Sequence, residues 1–314
     1  MSRREGSRNI SFRRSLRKRE SQTGSGGVKI SNSTNSSTDN SQSGCIIAVG
    51  GGEDKFKKKL ILRRFFDEAG GLGSTIAVVP TASRSPGEIG AMYREIFGDF
   101  GASRVDVLNI DSRHDADSDE FVDAIRRSSG VFLTGGNQLR LTSILGGSRI
   151  ADALRDRLNE GAPLAGTSAG ASAMSTHMIV TGKTGLRVNR SMVEIAPGLG
   201  VITKLIIDQH FSQRERLGRL LTAVAYNPHL LGVGIDEDTA ILYRHEGLLE
   251  VLGSGQVIVV DASHLTYSNI DRAGKTRPLT MAGVRLHVLT DGDKFSVEMR
   301  ELTAHLAERV PKPD

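Results

Sequence analysis

From residue 45 onward, short apolar runs alternate with longer segments of helical periodicity. Residues 45–49 (Cys-Ile-Ile-Ala-Val), 75–80 (Thr-Ile-Ala-Val-Val-Pro), 105–108 and 130–134 read as strands. Between them, 55–69, 87–100 and 118–128 read as helices, the first with Phe56, Leu60, Ile61, Phe65 and Phe66 on one side. Residues 149–160 read as another amphipathic helix, followed by Gly161 and a fifth apolar run that ends near Thr167. Strands this apolar are buried on both faces, which is the pattern of a parallel sheet covered by helices. Right-handed crossovers then predict an α/β fold, a doubly wound, mainly parallel sheet whose site lies at the carboxyl ends of the strands. After the fifth run the pattern changes. Residues 178–209 are mixed short strands and turns, 212–226 a helix, and 231–236 with 239–243 a hairpin-like pair. Further strands near 248–252, 256–260, 265–269 and 284–289 predict additional antiparallel strands in the C-terminal part.

Residues 1–43 break this pattern. They are rich in Arg, Ser, Asn and Gly and hold few apolar side chains, so they cannot bury enough surface to offset the entropy of ordering. The expected division is a disordered basic and polar extension, residues 1–43, and one domain, residues 44–314, with no linker after residue 43. The charge follows that division. The chain carries a net +5, but residues 1–20 alone hold eight Arg or Lys against Glu5 and Glu20, so the remainder is at −1. A basic extension can be a solvated tail or an arm for a polyanion; the domain itself has no nucleic-acid signature. A single cysteine, Cys45, excludes an intrachain disulfide, and a reducing, cytoplasmic setting is expected. No apolar run reaches the roughly 18–20 residues that span a bilayer, so no membrane association is expected.

The chemistry gathers around Gly166-Thr167-Ser168-Ala169-Gly170, a form of the G-x-S-x-G elbow. Such a turn lifts a serine hydroxyl above the sheet and sets helical N–H groups beside it. A tight strand-to-helix turn without chemistry would leave the same trace. A nucleophilic serine needs a base, and the base needs an acid. Of the eight histidines, His210 stands out, closing the apolar run of Lys204-Leu205-Ile206-Ile207 just before an Arg-rich segment. The candidate acids lie in Asp236-Glu237-Asp238, where an extended chain turns Glu237 to one face and its neighbours to the other, so one kind of carboxylate and not all three would face the cleft; a polar turn would leave the same trace. The order Ser168, His210, Glu237 differs from the Ser, acid, His order of α/β-hydrolases. The glycines of residues 50–52 lack both phosphate-loop fingerprints, and no residue set has metal-ligand spacing. Gly135-Gly136-Asn137-Gln138 ends the strand before the elbow strand, where its N–H groups can join that of Ala169 as an oxyanion hole.

Taken in order, Gly50-Gly51-Gly52-Glu53-Asp54, Thr134 to Gln138, Gly166 to Ala171, Asp208-Gln209-His210-Phe211 with Arg214, Arg216 and Arg219, and Gly234 to Ala240 resemble the cyanophycinases. These belong to the serine peptidase family that also includes aspartyl dipeptidase, and the match runs from about residue 45 to 270. The resemblance implies a fold like that of class I glutamine amidotransferases. It implies an exopeptidase acting on cyanophycin, multi-L-arginyl-poly-L-aspartate, that releases β-Asp-Arg dipeptides through an acyl-enzyme. It makes Ser168 the nucleophile, His210 the base and Glu237 its partner, with Gly136 and Ala169 as the oxyanion hole. Gln138, Asp208, Arg214, Arg216 and Arg219 become substrate contacts. Arg214 and Arg219 are five apart and so not on one helical stripe, so at most some of these arginines face the site; Arg216 is taken as the first candidate. No metal or cofactor is implied, and the family is similar to homodimers. An aspartyl dipeptidase with the same triad, or a non-catalytic polyanion-binding module, are the other readings.

Overall fold

The first apolar run forms β1 (Ile46–Val49), and its side chains leave the strand on both faces into separate cores. The computed structural model that shows this describes residues 43–304; the expected extension, residues 1–43, lies outside the described residues apart from Ser43. Ile46 and Ala48 enter one cluster, Cys45, Ile47 and Val49 the other. This two-sided burial is the physical reason the run has no polar face.

After β1 come α1 (Leu60–Glu68), β2 (Thr75–Val79), α2 (Pro86–Phe100), β3 (Arg104–Val107), α3 (Arg113–Ala116), α4 (Asp119–Arg127) and β4 (Gly130–Leu133). Then follow α5 (Gln138–Leu145), α6 (Arg149–Asn159), β5 (Leu164–Thr167) and α7 (Ala169–Ala173). The strands β1, β5, β4, β2 and β3 lie side by side in that order, all parallel. On one face α1 and α2 pack an aromatic cluster of Phe65, Tyr93, Phe97 and Phe132, with Phe65 and Phe132 edge to face at 5.5 Å. Helices α4 to α7 contribute to the core on the other face.

The C-terminal part contains β6 (His177–Gly182), β7 (Val193–Pro197), β8 (Leu205–Gln209), α8 (Leu217–Tyr226), β9 (Leu231–Ile235), β10 (Thr239–Tyr243), β11 (Leu248–Gly253) and β12 (Val257–Asp261). Short strands β13 (Tyr267–Ser268), β14 (Met281–Ala282), β15 (Arg285–Leu289), β16 (Lys294–Ser296) and β17 (Glu301–Ala304) complete it. Antiparallel β10, β11, β16 and β17 extend the parallel core from β1 into a nine-stranded sheet. A second sheet has the order β15, β12, β9, β8. The mainly parallel sheet with antiparallel C-terminal strands agrees with the sequence reading. Among the described residues, no helix is long and apolar enough to cross a membrane.

Three local readings change. The pair at 231–236 and 239–243 is not a hairpin, because β9 pairs with β8 and β12 while β10 pairs with β1 and β11. Residues 236–238 therefore carry the chain from one sheet to the other. The helix expected over 55–69 starts only at Leu60. The Asp54 carboxylate accepts the N–H groups of Phe56, Lys57, Lys58 and Lys59 at 2.6 to 3.0 Å, closing a turn on a side chain in place of a helical turn. Phe56 is consequently 87% exposed. The helix expected over 212–226 is a 3-10 turn, Ser212–Arg214, then a left-handed Glu215 at φ 49°, then α8. Helices α3 and α5 were not anticipated.

Candidate active site

β5 ends at Thr167, α7 begins at Ala169, and Ser168 between them has φ 51° and ψ −110°. A non-glycine residue in such a conformation stores about 1–3 kcal/mol and is held there by its surroundings. The hold is visible. Ser168 N–H donates to Val49 O at 2.9 Å, and its carbonyl accepts from Ser172 N–H at 3.1 Å. Close packing requires glycine at the far side of the turn, where a β-carbon on Gly170 would stand 2.4 Å from Leu133 O.

The end of β8 brings His210 to the serine. His210 has φ 46°, and its N–H donates to Gly50 O at 2.8 Å, tying it to the end of β1. Its Nε2 lies 3.0 Å from Ser168 Oγ. Its Nδ1 lies 2.6 Å from Glu237 Oε1, just after β9. The crossing between sheets turns Glu237 toward His210, whereas Asp236 binds Ser212 N–H at 2.9 Å and Asp238 binds Asp54 N–H at 2.9 Å. In this arrangement a proton on Nδ1 is held by the carboxylate, which leaves Nε2 as the acceptor for the serine proton. Burial pushes His210 below its ordinary value of 6.5, against the upward pull of the Glu237 hydrogen bond; Arg214 and Arg216 push it down further. A base that stays neutral near neutral pH is the state this chemistry needs.

The family model for peptidase family S51 matches residues 46–251. The chain belongs to peptidase family S51. It is 45% identical over 256 residues to a cyanophycinase of Nostoc sp., covering 81% of this chain and 86% of that protein. It is 41% identical to a cyanophycinase of Synechococcus elongatus (82% and 81%) and 39% identical to one of Geminocystis herdmanii (84% and 97%). Among solved structures, a peptidase from an acI-B1 Actinobacterium has the same fold at a TM-score of 0.60 and 21% identity, covering 81% of this chain and 97% of that one. As an S51 member the protein is a hydrolase, a serine peptidase.

The other residues singled out in this S51 chain fall into two groups. Around the serine, a β-carbon on Gly135 would lie 3.4 Å from Ser168 Cβ, so the strand end of β4 runs directly against Ser168. Gly136 follows at φ 143° against the Ala82 carbonyl. The Ala169 N–H opens α7, where helix geometry offers it no intrahelical acceptor. Gln138, at the start of α5, donates its amide to Ile179 O at 3.1 Å and Val180 O at 2.7 Å, bracing β6.

Behind His210 lies a buried ionic cluster. Asp208 is 0% exposed. Its carboxylate takes both Nε (2.6 Å) and Nη2 of Arg219, Nη1 of Arg216 at 3.3 Å, and the Gln209 N–H at 2.9 Å. Arg216 also donates to the Gln209 carbonyl and, at 3.0 Å, to Gln209 Oε1. Burial pushes Arg216 down to about 10. Asp208, Arg216 and Arg219, expected as substrate contacts, are thus buried and bonded to one another here, while Arg216 Nε has no hydrogen-bond partner among the described residues. Arg214 is exposed, one turn from the imidazole, and its N–H donates to His210 O at 3.2 Å.

Sequence reading missed the group around Glu53. Its buried carboxylate accepts the Tyr93 hydroxyl and the Thr167 hydroxyl (2.6 Å), and pairs with Lys55 Nζ at 2.8 Å. Thr167 precedes Ser168, so Glu53 pins the strand end that presents the serine. The only trace in the sequence is a Glu directly after three glycines at a strand end.

Proposed function

We propose that this serine peptidase degrades cyanophycin as an exopeptidase, releasing β-Asp-Arg dipeptides by way of an acyl-enzyme. The observation that carries the mechanism is the hydrogen-bonded series Ser168 Oγ, His210 Nε2, His210 Nδ1 and Glu237 Oε1, with spacings of 3.0 and 2.6 Å. The substrate follows from relatives at 39–45% identity that are named cyanophycinases.

In this reading His210 Nε2 takes the Ser168 proton as Oγ attacks a backbone carbonyl of the polymer. The resulting oxyanion lies against Gly136 and Ala169, whose N–H groups stabilise it. His210 then gives its proton to the leaving amine, and the acyl group stays on Ser168. Water attacks the ester, His210 takes a proton from it, and Ser168 recovers its own. Glu237 keeps the imidazole in one tautomer throughout. Exposed Arg214 binds a substrate carboxylate through its planar fork. Asp208, Arg216 and Arg219 act through position, fixing the end of β8 and hence His210, while Gln138 sets the neighbouring wall at β6. No metal or organic cofactor takes part in these steps. The reading places the enzyme in the cytoplasm, as a homodimer.

The test is product analysis with purified protein on cyanophycin, on Asp-Leu and on free β-Asp-Arg. Release of β-Asp-Arg from the polymer is expected. Cleavage of Asp-Leu with the polymer untouched would move the protein to the aspartyl dipeptidases, and no turnover of any of the three would remove the peptidase mechanism.

A further inference from the structure

The Ser168 hydroxyl borders a cleft of about 190 Å³ whose opposite wall has no part in the proton transfers. That wall is made by Lys55 from the β1–α1 loop, Ser83 from the β2–α2 loop, and Met92 and Tyr93 from α2. The volume suits one small polar group with part of an aliphatic stem.

The polar character of the wall is one-sided. Glu53 beneath it is 4% exposed, and both of its oxygens are engaged: Oε1 by Tyr93 and Lys55, Oε2 by Thr167. No acceptor capacity is directed outward for a cationic ligand. Donors remain. The Lys55 ammonium has three N–H groups. Among the described residues it gives two, one to Glu53 Oε1 and one to the Glu53 carbonyl at 3.3 Å. Its side chain is 19% exposed, its ammonium 5.8 Å from the Tyr93 ring centroid. Ser83 Oγ accepts from Ser85 N–H at 3.0 Å and keeps its own proton to give. Lys57 and Lys58 are exposed on the same loop. A fixed ammonium with a spare N–H, beside a serine hydroxyl, matches a carboxylate. A guanidinium would meet the Lys55 ammonium there, with both Glu53 oxygens already engaged.

We infer that Lys55, held by Glu53 and assisted by Ser83, is a carboxylate-binding subsite beside the nucleophile. The inference rests on the cyanophycin reading, which supplies two carboxylates of suitable reach: the free α-carboxylate of each side-chain arginine and the terminal carboxylate of the aspartate backbone. Glu53 anchors the ammonium from below, so the side chain loses little freedom when substrate arrives, and binding keeps more of the interaction. Because Glu53 also holds Thr167, the subsite and the elbow share one support.

The experiment pairs enzyme and substrate changes. A short (β-Asp-Arg) oligomer is prepared unmodified, with its arginine α-carboxylates amidated, and with only its backbone terminus amidated. Each is assayed with wild-type protein, Lys55→Met and Lys55→Arg, after thermal unfolding has checked folding. Lys55→Met is expected to raise KM for the unmodified oligomer by about ten- to a hundred-fold, the range of one charge-assisted hydrogen bond. Lys55→Arg should restore most of it. One amidation should raise the wild-type KM by a similar factor and have no further effect in Lys55→Met; which one does so names the carboxylate. Independent, multiplying penalties for both amidations in Lys55→Met would overturn the subsite while leaving the substrate reading intact. An unchanged KM in folded Lys55→Met would do the same. If Lys55→Met does not fold, Lys55→Gln takes its place with the same expectations, and a wild-type KM unchanged by either amidation overturns the subsite. No cleavage of the unmodified oligomer by wild-type protein would overturn the substrate reading, and the subsite with it.

Discussion

A β-carbon on Gly51 would stand 2.4 Å from Cε1 of His210 and 2.6 Å from Nε2, the atom that meets Ser168 Oγ. Gly51 also has φ 92°, a conformation side chains rarely adopt. The glycine loop after β1 is therefore the seat of the imidazole. Gly51→Ala should move the ring and lower kcat by about 10²-fold or more, the cost of an ångström-scale misplacement. Steady-state kinetics beside a thermal melt would check this; a folded variant with wild-type kcat would refute the contact's importance.

Ser168→Ala should abolish turnover, with at least about 10³-fold lost, because it removes the proposed nucleophile. Its backbone strain would remain. Ser168→Gly removes that strain, worth about 1–3 kcal/mol, at an entropic cost of about 0.5–1 kcal/mol. The glycine variant should therefore melt above the alanine variant. Differential scanning calorimetry on the inactive pair gives the order directly.

The pH dependence follows from His210. Its depressed value keeps it neutral, and so competent as a base, to pH values under 6.5. The acid limb of kcat/KM should fall below that point. Arg214→Gln removes a charge that lowers the value, so the limb should move up. Glu237→Gln removes the partner that raises it, so the limb should move down, with kcat reduced by about 10²–10⁴-fold through loss of the tautomer. Shifts in the same direction for both variants would contradict the assignment.

Asp208→Asn should destabilise the fold by about 3–5 kcal/mol, because it strands the buried guanidinium groups of Arg216 and Arg219 without a counter-charge. Urea denaturation would measure it. A loss below about 1 kcal/mol, the range of an exposed pair, would mean that the cluster is far more hydrated than its geometry indicates.

Much of this molecule was legible in the chain because the relevant signals are local. Runs such as 45–49 and 75–80 carry their own message, since a strand without a polar face has to be covered on both sides. Gly166 to Gly170 announces its turn within five residues. The alternation at Asp236-Glu237-Asp238 separates Glu237 from its two neighbours without choosing between them; the resemblance points to Glu237, and the structure turns that side chain to His210. The start of α1 was less accessible, because Asp54 draws four N–H groups into a turn that helical periodicity cannot report.

The sequence by itself therefore determined the parallel core, the elbow, and the order of serine, histidine and glutamate. Tertiary structure alone decided that β9 and β10 part into different sheets, that Asp208 spends its charge on Arg216 and Arg219, and that Glu53 supports both Thr167 and Lys55. The reason is distance along the chain. Glu53 meets partners 40 and 114 residues away, and strand pairing sets their approach. Pattern records which faces are apolar; it does not record which polar groups arrive together once those faces are buried.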